Sequence, residues 1–312
     1  MRLRELRRAD APRLFELLKS QFPEEESILG TRADGFARIV RRLYRPDLRL
    51  LLGLLRLVGR SPFRFFVIEE EGDLVATTLL SFPPKTGFLS MVVVAPAFRR
   101  RGYARRLLDT ARTATVRRGR RFVALNVLGS NAPARTLYAS AGYRELDHQW
   151  LLVHDRPIDL AAAPKVASVR PFQREDAGAV AELANRTMPA AAREVLPARP
   201  ADYRSRTLAD RLFDAEAAAW VVDRGRGIEG HLSAVVSPAT EAAHLSCPLV
   251  APSLDPELAE AMVRTAGAWL AARTPVRIAT SVPEGRPQSR RALEGAGFHA
   301  AYDLFTLGRS ST

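Results

Sequence analysis

The same plan is written twice along this chain, at a spacing of about 155 residues. Residues 3–19 (LRELRRADAPRLFELLK) read as a short strand and then a helix with Leu14, Leu17 and Leu18 on its apolar side. Residues 169–185 (VRPFQREDAGAVAELAN) repeat that form, with Arg174-Glu175-Asp176 in the place of Arg8-Ala9-Asp10. The run Phe65-Phe66-Val67-Ile68-Glu69 is matched by Trp220-Val221-Val222-Asp223. Each meets a glycine turn (Gly72; Gly225 and Gly227) and a second short strand, which is the signature of a hairpin. Near the two ends stand Ala141-Gly142-Tyr143 and Ala296-Gly297-Phe298, each followed by a β-like tail. Solenoid repeats recur every ~20–50 residues, so a period this long means duplicated domains. The length of 312 residues agrees, at ~150 per domain.

Each half therefore predicts an α+β domain: a mixed, mostly antiparallel sheet flanked by helices. The first domain is expected over residues 1–157, a proline-bounded linker over 158–165, and the second domain over 166–312. The first half differs by an insertion at about residues 21–60. It holds the acidic run Glu24-Glu25-Glu26 and the apolar segment Leu48–Val58 (LRLLLGLLRLV). That segment predicts a core or lid helix, with a dimer contact (a homodimer) or a membrane-surface contact as alternatives. At 11 residues with Arg49 and Arg56 inside, it is too short for the ~20 needed to span a bilayer.

The charge is uneven. Residues 1–160 hold 29 Lys+Arg against 17 Asp+Glu, and residues 161–312 hold 18 against 17, so an anionic partner is expected to meet the first half. Only three of the 47 basic residues are lysines, a compositional bias without function of its own. Cys247 is the single cysteine, which excludes a disulfide framework and a multi-cysteine zinc site and suits a reducing compartment. With a charged start, MRLRELRRAD, the expected location is the cytoplasm. His231, His244 and His299 lack metal-ligand spacing, and His148 and His154 read as structural, so no metal is expected.

Chemistry concentrates in two segments. Residues 88–111 (FLSMVVVAPAFRRRGYARRLLDTA) read as an apolar strand, a basic turn with Gly102, and a helix start. Free N–H groups and the positive dipole end of such a helix make an anion site. Residues 122–143 (FVALNVLGSNAPARTLYASAGY) read as a strand, a Ser130-Asn131 helix start with Pro133 in the first turn, a helix carrying Tyr138, and a terminating Gly142. Together they resemble the GNAT superfamily of acyl-CoA-dependent N-acyltransferases. The phosphate motif is read as Arg99-x-x-Gly102-x-Ala104, and the later motif as Asn131-x-x-Ala134-x-x-Leu137-Tyr138 with Gly142-Tyr143.

The resemblance implies two GNAT-like domains, each with a splayed parallel strand pair, and acetyl-CoA as co-substrate in the first. Val92, Val93 and Val94 would flank the pantetheine arm as though it were an added strand. Arg99, Arg100, Arg101, Gly102, Tyr103, Ala104 and Arg105 would hold the pyrophosphate, and Asn131 would lie along the arm. Tyr138 would serve the departing thiolate. Asn126 stands where some members carry a glutamate base, so deprotonation of the amine is left to a water chain or to Glu69, Glu70, Glu71 or Glu24–Glu26. The expected acceptor is an amine-bearing small molecule or a peptide N-terminus.

The second copy is expected to be degenerate. Aligned through Pro96 and Pro252, Leu258 faces Gly102, with Asp255, Glu257 and Glu260 around it. Leu293 replaces Tyr138 and Arg286 replaces Asn131. The alternatives are a tandem acetyltransferase like mycothiol synthase, or a basic nucleic-acid or ribosome-binding protein using Arg112, Arg117, Arg118, Arg120 and Arg121. That arginine cluster lacks aromatics for base stacking apart from Phe122.

Overall fold

The computed structural model describes residues 1–19, 61–155, 166–203, 215–225, 227–237, 242–274 and 277–311. The insertion at 21–60, with Glu24–Glu26 and Leu48–Val58, and the linker at 158–165 lie outside the described residues. Two units are present. Among the described residues, the first comprises 1–19, 61–146 and 305–311, and the second 147–304.

The first unit carries β1 (Arg2–Glu5), α1 (Ala11–Lys19), β2 (Phe63–Glu70), β3 (Asp73–Ser81), β4 (Thr86–Val94), α2 (Tyr103–Arg117), β5 (Phe122–Leu128) and α3 (Ala132–Ser140). Its strands run in the order β1-β2-β3-β4-β5, antiparallel except for β4 and β5, which are parallel. Alternation along β2 divides the core. Phe66 and Ile68 pack with Leu107, Leu108 and Ala111 of α2, while Val67 packs with Leu14, Leu17 and Leu18 of α1. The β2–β3 hairpin closes through Glu71 and Gly72, both at positive φ (53° and 91°), as a two-residue primed turn requires. Gly87 lets α2 lie close on β4: a Cβ there would collide with Oγ1 of Thr115, itself bonded to the Ala111 carbonyl.

The second unit repeats the pattern with β7 (Val169–Pro171), α4 (Ala177–Arg186), α5 (Ala190–Val195), β8 (Glu216–Asp223), β9 (Ile228–Ser237), β10 (Ala242–Leu245), β11 (Leu249–Val250), α6 (Pro256–Ala271), β12 (Ile278–Pro283) and α7 (Pro287–Gly295). Here β10 and β12 are the parallel pair. The duplication extends to single ion pairs. In the first unit Arg4 grips Asp10 at 2.5 and 2.9 Å and Glu69 at 2.8 Å, and the Arg7 N–H donates to Asp10 at 2.7 Å. In the second, Arg170 grips Asp176 at 2.8 Å and Asp223 at 2.9 Å, and the Gln173 N–H donates to Asp176 at 2.7 Å.

One feature departs from simple tandem order. β6 (Arg144–His154), which ends the first half of the sequence, lies mostly in the second unit, antiparallel to β12. β13 (His299–Ser310), which ends the second half, reaches the first unit with residues 305–310 and lies beside β5. Ser311 fastens it there: its N–H donates to the Arg121 carbonyl at 2.9 Å and its hydroxyl to the Arg120 carbonyl at 2.7 Å.

Candidate active site

The candidate site begins where β4 and β5 part. They pair only from Thr86 to Leu89 and from Phe122 to Leu125. The cause lies on the other edge of β4: Thr77 pairs with Val93 and Leu79 with Ser90, so Met91 and Val92 both oppose Thr78. This β-bulge turns Met91 to φ +52°, a strained conformation for a side chain of that size, and bends β4 away from β5. Beyond the bulge the Val93 side chain is buried on the α1 face, while Val92 and Val94 pack toward α2. The result is a wedge between two strands whose main-chain groups can accept an extended third chain.

At the mouth of the wedge the chain turns through Ala95, whose N–H donates to the Val75 carbonyl at 2.9 Å, and reaches Arg99, Arg100 and Arg101. Arg100 (φ +64°) and Gly102 (φ +81°) both adopt the left-handed conformation, which folds successive N–H groups into a concave nest. Gly102 is the N-cap of α2 and supplies no capping side chain, and the first turn holds no acid. The N–H groups of Tyr103, Ala104 and Arg105 thus have no partner within the helix. A Cβ at Gly102 would meet nothing within 4 Å, so it would project into the open space above the nest. This donor set fits a pyrophosphate. Arg99 donates Nε to the Val94 carbonyl at 3.3 Å, Arg101 stacks on Phe98 at 5.0 Å, and Arg105 reaches Ser140 Oγ at 2.8 Å.

Beyond β5, Asn131 caps α3, its Oδ1 accepting from the Ala134 N–H at 3.2 Å. The helix ends in a Schellman motif around Gly142 (φ +82°). The Gly142 N–H donates to the Ala139 carbonyl at 2.9 Å and the Tyr143 N–H to the Tyr138 carbonyl at 3.0 Å. Tyr138 is thereby fixed in place, its ring buried and tilted against that of Tyr143 at 5.9 Å. Burial pushes the Tyr138 phenol up to about 12, so it remains a proton donor throughout the neutral range.

The carboxylates proposed as bases have other occupations. Glu69 is committed to Arg4, with Arg13 at 3.7 Å, and the Arg4 hydrogen bond holds it below the usual range. Glu70 accepts from the Tyr103 hydroxyl, and Glu71 forms the hairpin turn. His148 and His154 lie in the second unit: the first is 3.1 Å from Glu284, and the second is buried against Phe298. No metal-binding group of acids, cysteines and histidines occurs among the described residues, nor is any described helix long and apolar enough to cross a membrane. One neighbour of the site was beyond sequence reasoning: Thr306 donates Oγ1 to Asn126 Oδ1 at 3.0 Å, from a strand 180 residues away.

The corresponding region of the second unit is built otherwise. Eight residues separate β4 from α2, but only five separate β11 from α6, so Asp255 and not Leu258 stands opposite Gly102 at the helix cap. The alignment through Pro96 and Pro252 is corrected accordingly. The Asp255 carboxylate caps its own helix, accepting from Glu257 at 2.9 Å, and Pro256 removes a donor. Arg286 occupies the N-cap of α7, as Asn131 does in α3. Its buried guanidinium reaches the Thr187 carbonyl at 3.2 Å, the Ala184 carbonyl at 3.4 Å and Cys247 Sγ at 3.6 Å. Leu293, fully buried, closes the same Schellman geometry as Tyr138.

Residues 11–143 match the model of the acetyltransferase (GNAT) family. Two solved structures align with essentially the whole chain at 17% identity. One is a tandem GNAT protein from the clavulanic acid biosynthesis pathway, with TM-score 0.64, 100% of this chain and 98% of that one covered. The other is a GCN5-related N-acetyltransferase from Sphaerobacter thermophilus, with TM-score 0.66, 99% and 95% covered. At this identity the likeness establishes the fold. Comparison with curated protein sequences gave no match.

Proposed function

We propose that the chain transfers an acetyl group from acetyl-CoA to a primary amine, at one site in its first unit, a reading supported by the match of residues 11–143 to the acetyltransferase (GNAT) family model. The observation that carries this reading is the wedge between β4 and β5, opening beside an uncapped, acid-free helix start with Arg100 and Gly102 in the left-handed conformation. Main-chain groups of Val92, Val93 and Val94 would bind the pantetheine arm, and the N–H groups of Arg100 to Arg105, with the Arg99 side chain, the pyrophosphate. Asn131 would flank the arm while capping α3. Bound acetyl-CoA supplies an activated acyl thioester.

The chain's own residues then handle two protons. Tyr138, held protonated by its burial, offers its hydroxyl to a departing thiolate. The amine proton leaves by a water chain, since Glu69 is ion-paired, Glu70 is taken by Tyr103, and Asn126 has no basic form. The second unit is the structural partner: Asp255 and Arg286 stand where an anion nest and a capping amide stand in the first unit. The acceptor class is an amine on a small molecule or a peptide N-terminus. Release of CoA from acetyl-CoA across a panel of amines and peptides tests the proposal. No release above buffer hydrolysis with any of them contradicts it.

A further inference from the structure

We infer that Arg64, Arg118 and Arg120 form a binding site for a small phosphate-type oxyanion, at the end of α2 opposite Gly102. Three strand and turn segments of the first unit bring them together: the start of β2, the residues after β3, and the turn leading into β5. Phe82 donates its N–H to the Pro62 carbonyl at 3.1 Å, and the guanidinium of Arg118 stacks on the Phe82 ring at 4.3 Å. Arg120 donates Nη1 to the Pro84 carbonyl. Gly119, at φ +65°, makes the tight turn between the two arginines.

The cluster is short of negative charge. Nε of Arg64, Nη2 of Arg118 and Nε of Arg120 are each buried with no hydrogen-bond partner. The sole carboxylate paired with any of the three, among the described residues, is Glu5, 3.6 Å from Arg64. The C-terminal end of α2 contributes roughly half a negative charge, against three positive ones. Burial, and then the charges of Arg64 and Arg120, hold the Arg118 guanidinium below its ordinary value, with Glu5 opposing them only in part. Buried guanidinium N–H groups without acceptors are costly, and a tetrahedral dianion satisfies several at once.

A groove of about 330 Å³ opens beside Arg64; Arg106, Arg117 and the carboxylate of Asp109 also line it. Helix α2 is 15 residues long, so this site lies about 22 Å along the helix from the nest at Gly102. It is thus a second anion site, independent of the acetyl-CoA reading. A nucleic-acid backbone is the weaker occupant, because the unpartnered nitrogens are enclosed rather than laid out along a stripe.

The test is titration of inorganic phosphate into the full chain carrying Gly102→Glu, in chloride buffer, so that the nest at the other end of α2 does not compete. Saturable binding is expected, weakened at least tenfold by Arg118→Gln and by Arg120→Gln. Adenosine monophosphate is titrated in parallel. A tenfold gain over phosphate assigns the site to a phosphate ester with its remainder in the groove, and equal affinity assigns it to free phosphate. A melting series separates binding from packing. In the Gly102→Glu chain, phosphate should raise the melting temperature, and it should not do so once Arg118→Gln is added, a change that in chloride alone should lower the melting temperature no further. Unaltered phosphate binding in both glutamine variants overturns the inference, as does an RNA oligomer held more tightly than phosphate through the same arginines.

Discussion

Thr306 bonds to Asn126 at 3.0 Å, and so the last strand of the chain steadies a residue at the edge of the β4–β5 wedge. Around this bond Leu307 is buried in the first unit's core, and the Arg309 guanidinium donates to the Ala141 carbonyl behind Tyr138. The first unit is therefore complete only with residues 305–311. Deleting 305–312 should lower its melting temperature sharply and abolish turnover, while Thr306→Val should cost about 1 kcal/mol and leave the fold intact. A folded, active fragment of residues 1–157 would refute this.

Tyr138→Phe should reduce kcat roughly 10–1,000-fold with acetyl-CoA affinity nearly unchanged, because a hydrogen bond to the leaving group strengthens as charge develops. With its phenol pushed up to about 12, the donor is present at every lower pH, so this group adds no falling limb to the rate profile below about pH 11. Full turnover in the phenylalanine variant would remove Tyr138 from the mechanism.

Gly102→Ala separates stability from binding. The new Cβ meets no protein atom within 4 Å, so the loss of stability is confined to the positive φ, about 1 kcal/mol. Acetyl-CoA affinity should fall at least tenfold, because the methyl enters the pyrophosphate's space. Equal affinities of parent and variant would place the cofactor elsewhere.

Gly87→Ala should destabilise by about 1–3 kcal/mol through its collision with Thr115. Thr115→Ala in the same chain should recover much of that loss, a coupling measurable by a double-mutant cycle in denaturant. Additive losses would mean that the helix shifts and the side chain does not.

Acid should weaken both units by the same device. Hydrogen bonds from Arg4 and Arg170 hold Asp10 and Asp176 below the usual carboxylate range. Folded values lower than unfolded ones mean that this stability is fully present above the unfolded value near ~3.9 and is lost as pH falls through the folded values. Asp10→Asn and Asp176→Asn should each flatten the fall of stability below about pH 4. Unchanged slopes in chemical denaturation at pH 3 and pH 6 would show that the pairs contribute nothing.

Much of this was legible in the residues. The motif from Arg99 to Ala104 and the run from Asn131 to Tyr143 are contiguous, and their turn chemistry is local: Gly102 and Gly142 sit where a left-handed residue is needed. The duplication was visible for the same reason, down to the aspartates that Arg4 and Arg170 grip. Other features depend on distant chain. The bulge at Met91 carries no glycine to mark it, and it emerges from the register of β3. Asp255 takes the helix cap because the second unit's loop is three residues shorter, which a match of prolines conceals. The exchange of β6 and β13 leaves no local signal, since either strand has the same pattern whichever sheet it joins.

The central claim is a single acyl-CoA site, in the first unit. Titration calorimetry of the full chain with acetyl-CoA tests it most directly. One molecule should bind per chain, with binding lost in Gly102→Glu and kept in Arg286→Ala. A stoichiometry of two, or binding that survives Gly102→Glu, would contradict it.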